Sequence, residues 1–342
     1  MRHLGYAIAA FAAGAGAAVA AEDPAALREE AIAIFEPIPE TPDPAPDAAR
    51  VELGKMLYFE PRLSEGHNIS CNTCHNLGTG GADLARVSLG HRWQEGGRNS
   101  PTVLNSVYNL AQFWDGRAAD LQAQAGGPMV NPVEMGSTPE HVVEQLKGIP
   151  GYEAYFAAAF PGDDPLTFEN ATSAIAAFED TLITPDAPFD LFLKGDDTAM
   201  NAEQMAGLRT FIDSGCVACH NGINVGGDSY QPFGVMAAPD AAVLPPDDKG
   251  RFAVTRTEGD EYVFKVPTLR NIVLTPPYFH SGSVWDLNDA VAIMGTAQLG
   301  EELDDAQVGQ IVAFLGALTG RMPQVIYPTL PPSTADTPRP QP

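Results

Sequence analysis

The stretches "SCNTCHNLG" (70–78) and "GCVACHNG" (215–222) each place two cysteines three apart, with a histidine directly after the second. Together they use all 4 cysteines of the chain. CxxCH is the attachment signature of c-type haem: two thioether bonds fix the porphyrin edge and the adjoining histidine ligates the iron from one face. A lone CxxC also suits zinc or a redox disulfide, but neither needs the trailing histidine or a second copy of the phrase. Two such motifs dictate two apolar, largely helical pockets. The sequence therefore predicts one haem on Cys71, Cys74 and His75 and another on Cys216, Cys219 and His220.

The first twenty residues, "MRHLGYAIAAFAAGAGAAVA", carry an early arginine, a small-residue apolar run and a terminal Ala-Val-Ala. This is the pattern of a secretory leader cut after Ala20, followed by acidic sequence rather than a stop-transfer segment. No later stretch is long and apolar enough to span a bilayer, so the mature chain is expected to be exported and not membrane-spanning. A formal net charge of −25 excludes a nucleic-acid binder, whose affinity rests on lysine and arginine neutralising phosphates. The same charge suits steering of a basic protein partner.

Proline-rich "PIPETPDPAPD" (37–47) cannot hold a helix, and Asp47 is placed to cap "AARVELGKMLYF". The sequence "TPDAPFD" (184–190) breaks helical periodicity again. We expect an N-terminal domain over 21–184, a C-terminal domain over 185–325 and an extended or disordered Pro-rich tail over 326–342. In the second domain Asn201 with Gln204 and Asp304 with Gln307 read as capping boxes that open two helices; Gly215 ends the first and Gly320 stops the second. Gly207 and Phe211 suggest a close helix crossing. Gly54 and Tyr58 repeat that spacing before Cys71, which points to duplicated units. Residues 252–266, "FAVTRTEGDEYVFKV", alternate about a Glu-Gly-Asp turn and predict a small β-hairpin.

The far-side ligand decides whether a haem carries electrons or binds substrate. For the second haem the candidates are Met236 and Met294, and Met294 is preferred because it falls in a loop, "AVAIMGTAQLG", just before the final helix. For the first haem His91, in a Gly-rich stretch, competes with His67 and His141. Cleaving an O–O bond needs a group that carries a proton from one oxygen to the other, and Glu134 is an acid in an otherwise apolar Gly/Pro-framed loop. Trp114, in "AQFWDGR", is placed to be an aromatic between the cofactors or an ordinary core residue.

Taken together, "LGKMLYFEPRLS" (53–64), "SCNTCH" (70–75), "NSPTVLNSVYN" (99–109), "FWDGR" (113–117), "NPVEM" (131–135), "VPTLRNI" (266–272), "PPYFHSGS" (276–283) and "MGTAQLG" (294–300) resemble the bacterial di-haem cytochrome c peroxidase family over nearly the whole mature chain. The resemblance implies a mainly α fold of two cytochrome c-like domains, each with one covalently bound c-type haem. It also implies a periplasmic enzyme that reduces hydrogen peroxide to water with electrons from a small cytochrome c or a cupredoxin. By the same resemblance His91 is the distal ligand of the peroxidatic haem, Glu134 the catalytic acid–base, Trp114 the inter-haem aromatic and Met294 the distal ligand of the electron-transfer haem. It further implies a calcium ion held by Asn99, Thr275 and Pro277, a homodimer, and a resting state opened when reduction of the second haem withdraws His91. The competing readings are a di-haem electron carrier and a protein-modifying enzyme of the quinone-maturation type, which carries a tyrosine where this chain has Met294.

Overall fold

The computed structural model describes residues 23–341, so the expected leader lies outside the described residues. The fold is mainly helical, with one two-stranded antiparallel sheet. Two apolar cores are built on the same plan. In the first, the helix Ala48–Tyr58, capped by Asp47, crosses Phe168–Glu179. In the second, Ala202–Asp213, opened by the Asn201–Gln204 capping box, crosses Asp305–Gly316, opened by Asp304 and Gln307.

Both crossings require glycine. A Cβ on Gly54 would lie 1.8 Å from the Ala174 carbonyl oxygen, and one on Gly207 would lie 1.9 Å from that of Gln310. Four residues on, Tyr58 meets Phe178 edge-on at 5.2 Å, and Phe211 meets Phe314 at the same 5.2 Å. The sequence echo is therefore a repeated packing unit. Its aromatic reaches the haem motif in each case: the Tyr58 hydroxyl donates to the His75 carbonyl at 2.5 Å, and the Phe211 ring lies 6.4 Å from that of His220.

Several expectations need correction. Residues 24–35, placed by sequence with the N-terminal unit, pack Leu27, Ala31 and Phe35 into the second core, where Phe35 meets Phe189 at 5.2 Å. A buried ion pair ties it there. Arg270 holds Asp190 at 2.8 Å and donates to the Glu36 carbonyl at 3.0 Å, while Asp190 accepts from the Ile38 amide. The hairpin over 252–266 does not form. Phe252–Thr255 is helical, and Val263–Lys265 pairs instead with the distant Tyr230–Pro232. The Lys265 amide is in addition taken by the Trp114 carbonyl at 2.8 Å, so the strand's hydrogen-bonding groups are used by other segments.

The final helix ends at Gly316, before Gly320. Residues 326–341 of the Pro-rich tail form no helix or strand, and although the tail's sequence carries no packing pattern it lies against the first core. Tyr327 packs on Phe59 at 4.8 Å, Arg62 donates to the Pro331 carbonyl, and the buried Thr337 donates to the Gly148 carbonyl at 2.6 Å.

Candidate haem sites and the wall between them

Each CxxCH opens onto its own cavity. That beside Cys71, Cys74 and His75 has a volume of about 340 Å³, and that beside Cys216, Cys219 and His220 about 410 Å³, within the usual range for cofactor sites. All four thiols are free, and burial pushes those of Cys74 and Cys216 up to about 11. None of them is tied up in a disulfide, so both pairs are available for thioether bonds.

The histidines are prepared as neutral ligands. His75 Nδ1–H donates to the Pro101 carbonyl at 3.0 Å and His220 Nδ1–H to that of Val225 at 3.3 Å, which leaves each Nε2 lone pair for a metal. Burial lowers the pKa of both, that of His220 to about 4, so neither carries a competing proton at pH 7. Paired free thiols, a neutral imidazole and an adjoining cavity of cofactor size fit a covalently attached haem at both places.

Met294 lines the second cavity. It does not sit in a loop: it is the last residue of the helix Leu287–Met294, which widens into a π-turn over Gly295–Leu299. A π-turn re-aims side chains at helix ends and recurs at functional sites. Met236 is 63% exposed and is absent from the cavity wall, so the geometry favours Met294.

Glu134 lines the first cavity. Asn131 donates to its Oε1 at 2.9 Å, and burial pushes its carboxyl above the ordinary range, with the Arg117 charge pulling part of the way back. His91 is buried but does not line this cavity. Its Nε2 stands 3.1 Å from Glu65 Oε2, off the hydrogen-bonding direction, and its ring lies against Gly136. Its backbone amide donates to the Glu134 carbonyl at 2.6 Å, so the two loops are joined. The next residues, Arg92 and Trp93, have φ of 56° and 61°, a left-handed run that costs non-glycine residues about 1–2 kcal/mol each. His67 and His141 line neither cavity.

Asn99, Ser100, Pro101, Thr102, Phe113 and Trp114 line both cavities. Trp114 is thus part of a shared wall. Its Nε1–H donates to the Asn99 carbonyl at 2.9 Å, and its ring stands edge-on to His280 at 6.2 Å. Asn99, Thr275 and Pro277 all line the second cavity; the Asn99 amide donates to the Ala85 carbonyl at 2.9 Å, leaving Oδ1 as its acceptor end. Among the described residues no group of three or more His, Cys, Asp or Glu is placed to hold a metal ion. A site of amide and carbonyl oxygens is of a different kind and suits a hard cation.

Residues 48–198 match the family model described as di-haem cytochrome c peroxidase, and 204–319 match that of cytochrome c. The chain is 59% identical over 321 residues to the cytochrome c551 peroxidase of Pseudomonas aeruginosa, covering 92% of each protein. It belongs to the di-haem cytochrome c peroxidase family. It is also 52% identical to the cytochrome c551 peroxidase of Nitrosomonas europaea, over 86% of this chain and 87% of that one. Its structure resembles that of a MauG-like protein associated with microbial copper homeostasis, with a TM-score of 0.72, 25% identity, and coverage of 83% and 93% of the two chains.

As a member of this family the chain is a cytochrome c peroxidase, and its two cytochrome c-type units carry two c-type haems. No helix among the described residues is long and apolar enough to cross a membrane. Sequence reading missed three groups on the cavity walls of this peroxidase: Lys265 and His280 in the second and Glu179 in the first. Lys265 left one trace, a charge inside the apolar run "YVFKVP".

Proposed function

We propose that this di-haem peroxidase reduces hydrogen peroxide to water in the periplasm, with electrons from a small c-type cytochrome or a cupredoxin. The haem on Cys71, Cys74 and His75 is the peroxidatic one, and that on Cys216, Cys219, His220 and Met294 takes up electrons. The observation that carries this assignment is the asymmetry of the two walls: among the described residues carboxylates, Glu134 included, line the first cavity and none lines the second, whose wall holds the Met294 thioether.

The haems, when bound, supply iron for peroxide coordination and for electron storage; the chain's own groups supply orientation and proton movement. Asn131 fixes one oxygen of Glu134, leaving the other to exchange a proton inside the cavity. Its burial-raised pKa brings the carboxyl nearer the working pH, which suits a group that must first take a proton and then give it up. His91, seated by Glu65 and Gly136, leaves that space clear. We read this as its withdrawn position and the strained Arg92–Trp93 segment as the part that moves when it returns as a ligand. Trp114 is the proposed electron relay across the shared wall. Calcium at Asn99, Thr275 and Pro277, export by the N-terminal leader, and a homodimer complete the reading.

Glu134→Gln tests it. The variant should retain both haems and a near-native spectrum while peroxide turnover with a reduced donor falls by about 10²–10⁴, the usual contribution of a proton-transfer group. Native turnover would remove Glu134 from the mechanism.

A further inference from the structure

Lys265 is the third residue of the strand Val263–Lys265 and is 7% exposed. Its amide is fixed by the Trp114 carbonyl at 2.8 Å and its Cα faces that of Tyr230, so its place on the second cavity wall is set by the backbone. Among the described residues no aspartate or glutamate lines that cavity. Asp248, 3.8 Å from the wall residue His280, is already held by Nε and Nη2 of Arg98 at 2.7 Å each. Burial alone lowers the Lys265 ammonium to about 8, with no carboxylate opposing it. An unpaired buried cation is costly to a fold and is retained where a counter-ion arrives from outside the chain.

The other cation on the wall is committed elsewhere. Arg270 pairs with Asp190 and donates to the carbonyls of Ile223 and Glu36. A haem would bring two propionate carboxylates into this space, and among the described residues the wall offers Lys265 as its uncommitted Lys/Arg cation to receive them. We propose that Lys265 is the propionate anchor of the second haem, pairing its Nζ with a haem carboxylate beside the tryptophan wall. The pairing neutralises negative charge near the iron and so raises the potential of the electron-receiving haem. The inference rests on the second cavity being the electron-transfer site.

The test is a spectroelectrochemical titration of the loaded full-length enzyme as Lys265→Met and Lys265→Arg, with resonance Raman spectra of the propionate bending bands. Haem content by pyridine haemochrome should remain two per chain, since the thioether bonds do not involve Lys265. In Lys265→Met the midpoint potential of the second haem should fall, by more than any change in the first, and its propionate bands should shift. Lys265→Arg should restore most of the potential. A second-haem potential and propionate bands that match wild type in Lys265→Met would overturn the proposal. If the methionine variant does not accumulate, the arginine variant decides: a guanidinium must change the propionate bands, and unchanged bands refute the pairing. The methionine–iron charge-transfer band of the oxidised wild type reports separately on Met294, so loss of that assignment is distinguishable from failure of the lysine.

Discussion

Gly136→Ala is the sharpest test of whether the observed His91 position is the open one. Gly136 has φ of 68°, and a Cβ there would stand 2.9 Å from both Cγ and Cδ2 of His91 and 3.2 Å from Glu65 Oε2. Two costs follow, and they act on different states. The left-handed backbone costs alanine about 1–2 kcal/mol wherever the turn persists, which lowers overall stability without choosing between conformers. The contact with the ring acts only while His91 is seated there, and Cγ cannot be moved without rotating the whole side chain. Overpacking of this kind costs about 1–3 kcal/mol. That energy shifts the ratio of withdrawn to ligating His91 by about 5- to 150-fold toward the ligating form. The assay is the high-spin fraction of the first haem in half-reduced enzyme, read optically and by EPR, together with the rate of peroxide binding in stopped flow. Both should fall while the spectrum of the second haem stays native. A high-spin fraction within twofold of wild type, in a variant whose thermal unfolding shows the backbone strain, would refute the assignment of this position as the open state.

Met294→Ala should abolish the methionine–iron charge-transfer band of the oxidised enzyme and lower the potential of the second haem, because a thioether favours the reduced iron; retention of the band would exclude Met294 as ligand. Glu179, buried in the first core with Oε2 lacking a hydrogen-bond partner, has its carboxyl pushed up to about 8, chiefly by burial and secondarily by Asp180. Below the unfolded-state pKa both forms are protonated. Between about 4.5 and 8 the unfolded chain releases the proton that the folded chain keeps, so stability falls as pH rises through that window. The loss from pH 4.5 to 7 is about 3 kcal/mol, and Glu179→Gln should flatten this part of the urea-unfolding pH profile; an unchanged slope would show that Glu179 does not titrate there.

The parts legible in the sequence are those fixed by local chemistry. The two CxxCH phrases locate both cavities because covalent attachment needs those atoms at that spacing. Asp47, Asn201 and Asp304 mark helix starts because each satisfies amides within three residues of itself. Gly54 and Gly207 gave the helix crossings away because no other residue tolerates a carbonyl at that distance. What could not be read depends on partners remote in sequence. Phe35 joins the second core through Phe189, and Val263–Lys265 pairs with Tyr230–Pro232 rather than with its neighbour across a plausible turn. Met294 looked like a loop residue because glycines surround it, yet the π-turn keeps Gly295 helical. Lys265 went unnoticed because a lysine in a strand is ordinarily exposed, and only burial without a partner makes it informative.

The contrast between the two kinds of contact shows where the molecule can change shape. The glycine crossings bring backbone against backbone inside apolar cores, and separating them would expose buried surface with no compensating bond. The junction between the units is polar. Arg98 bridges Asp115 and Asp248, the Asn99 amide donates to the His280 carbonyl, the Leu110 amide to that of Gly227, and Asn224 to Asn109. Each neutral bond exchanges for one to water at a net cost of about 1 kcal/mol and each Arg98 bond at about 1.5–3 kcal/mol, so the junction can be rearranged stepwise while the cores stay intact. The wall residues 99–102 and 113–114 belong to both cavities, and Trp114 is bonded to Asn99 on one side and to Lys265 on the other. Backbone that shapes the first cavity is therefore hydrogen-bonded into the wall of the second, and a shift of that wall requires neither helix pair to move.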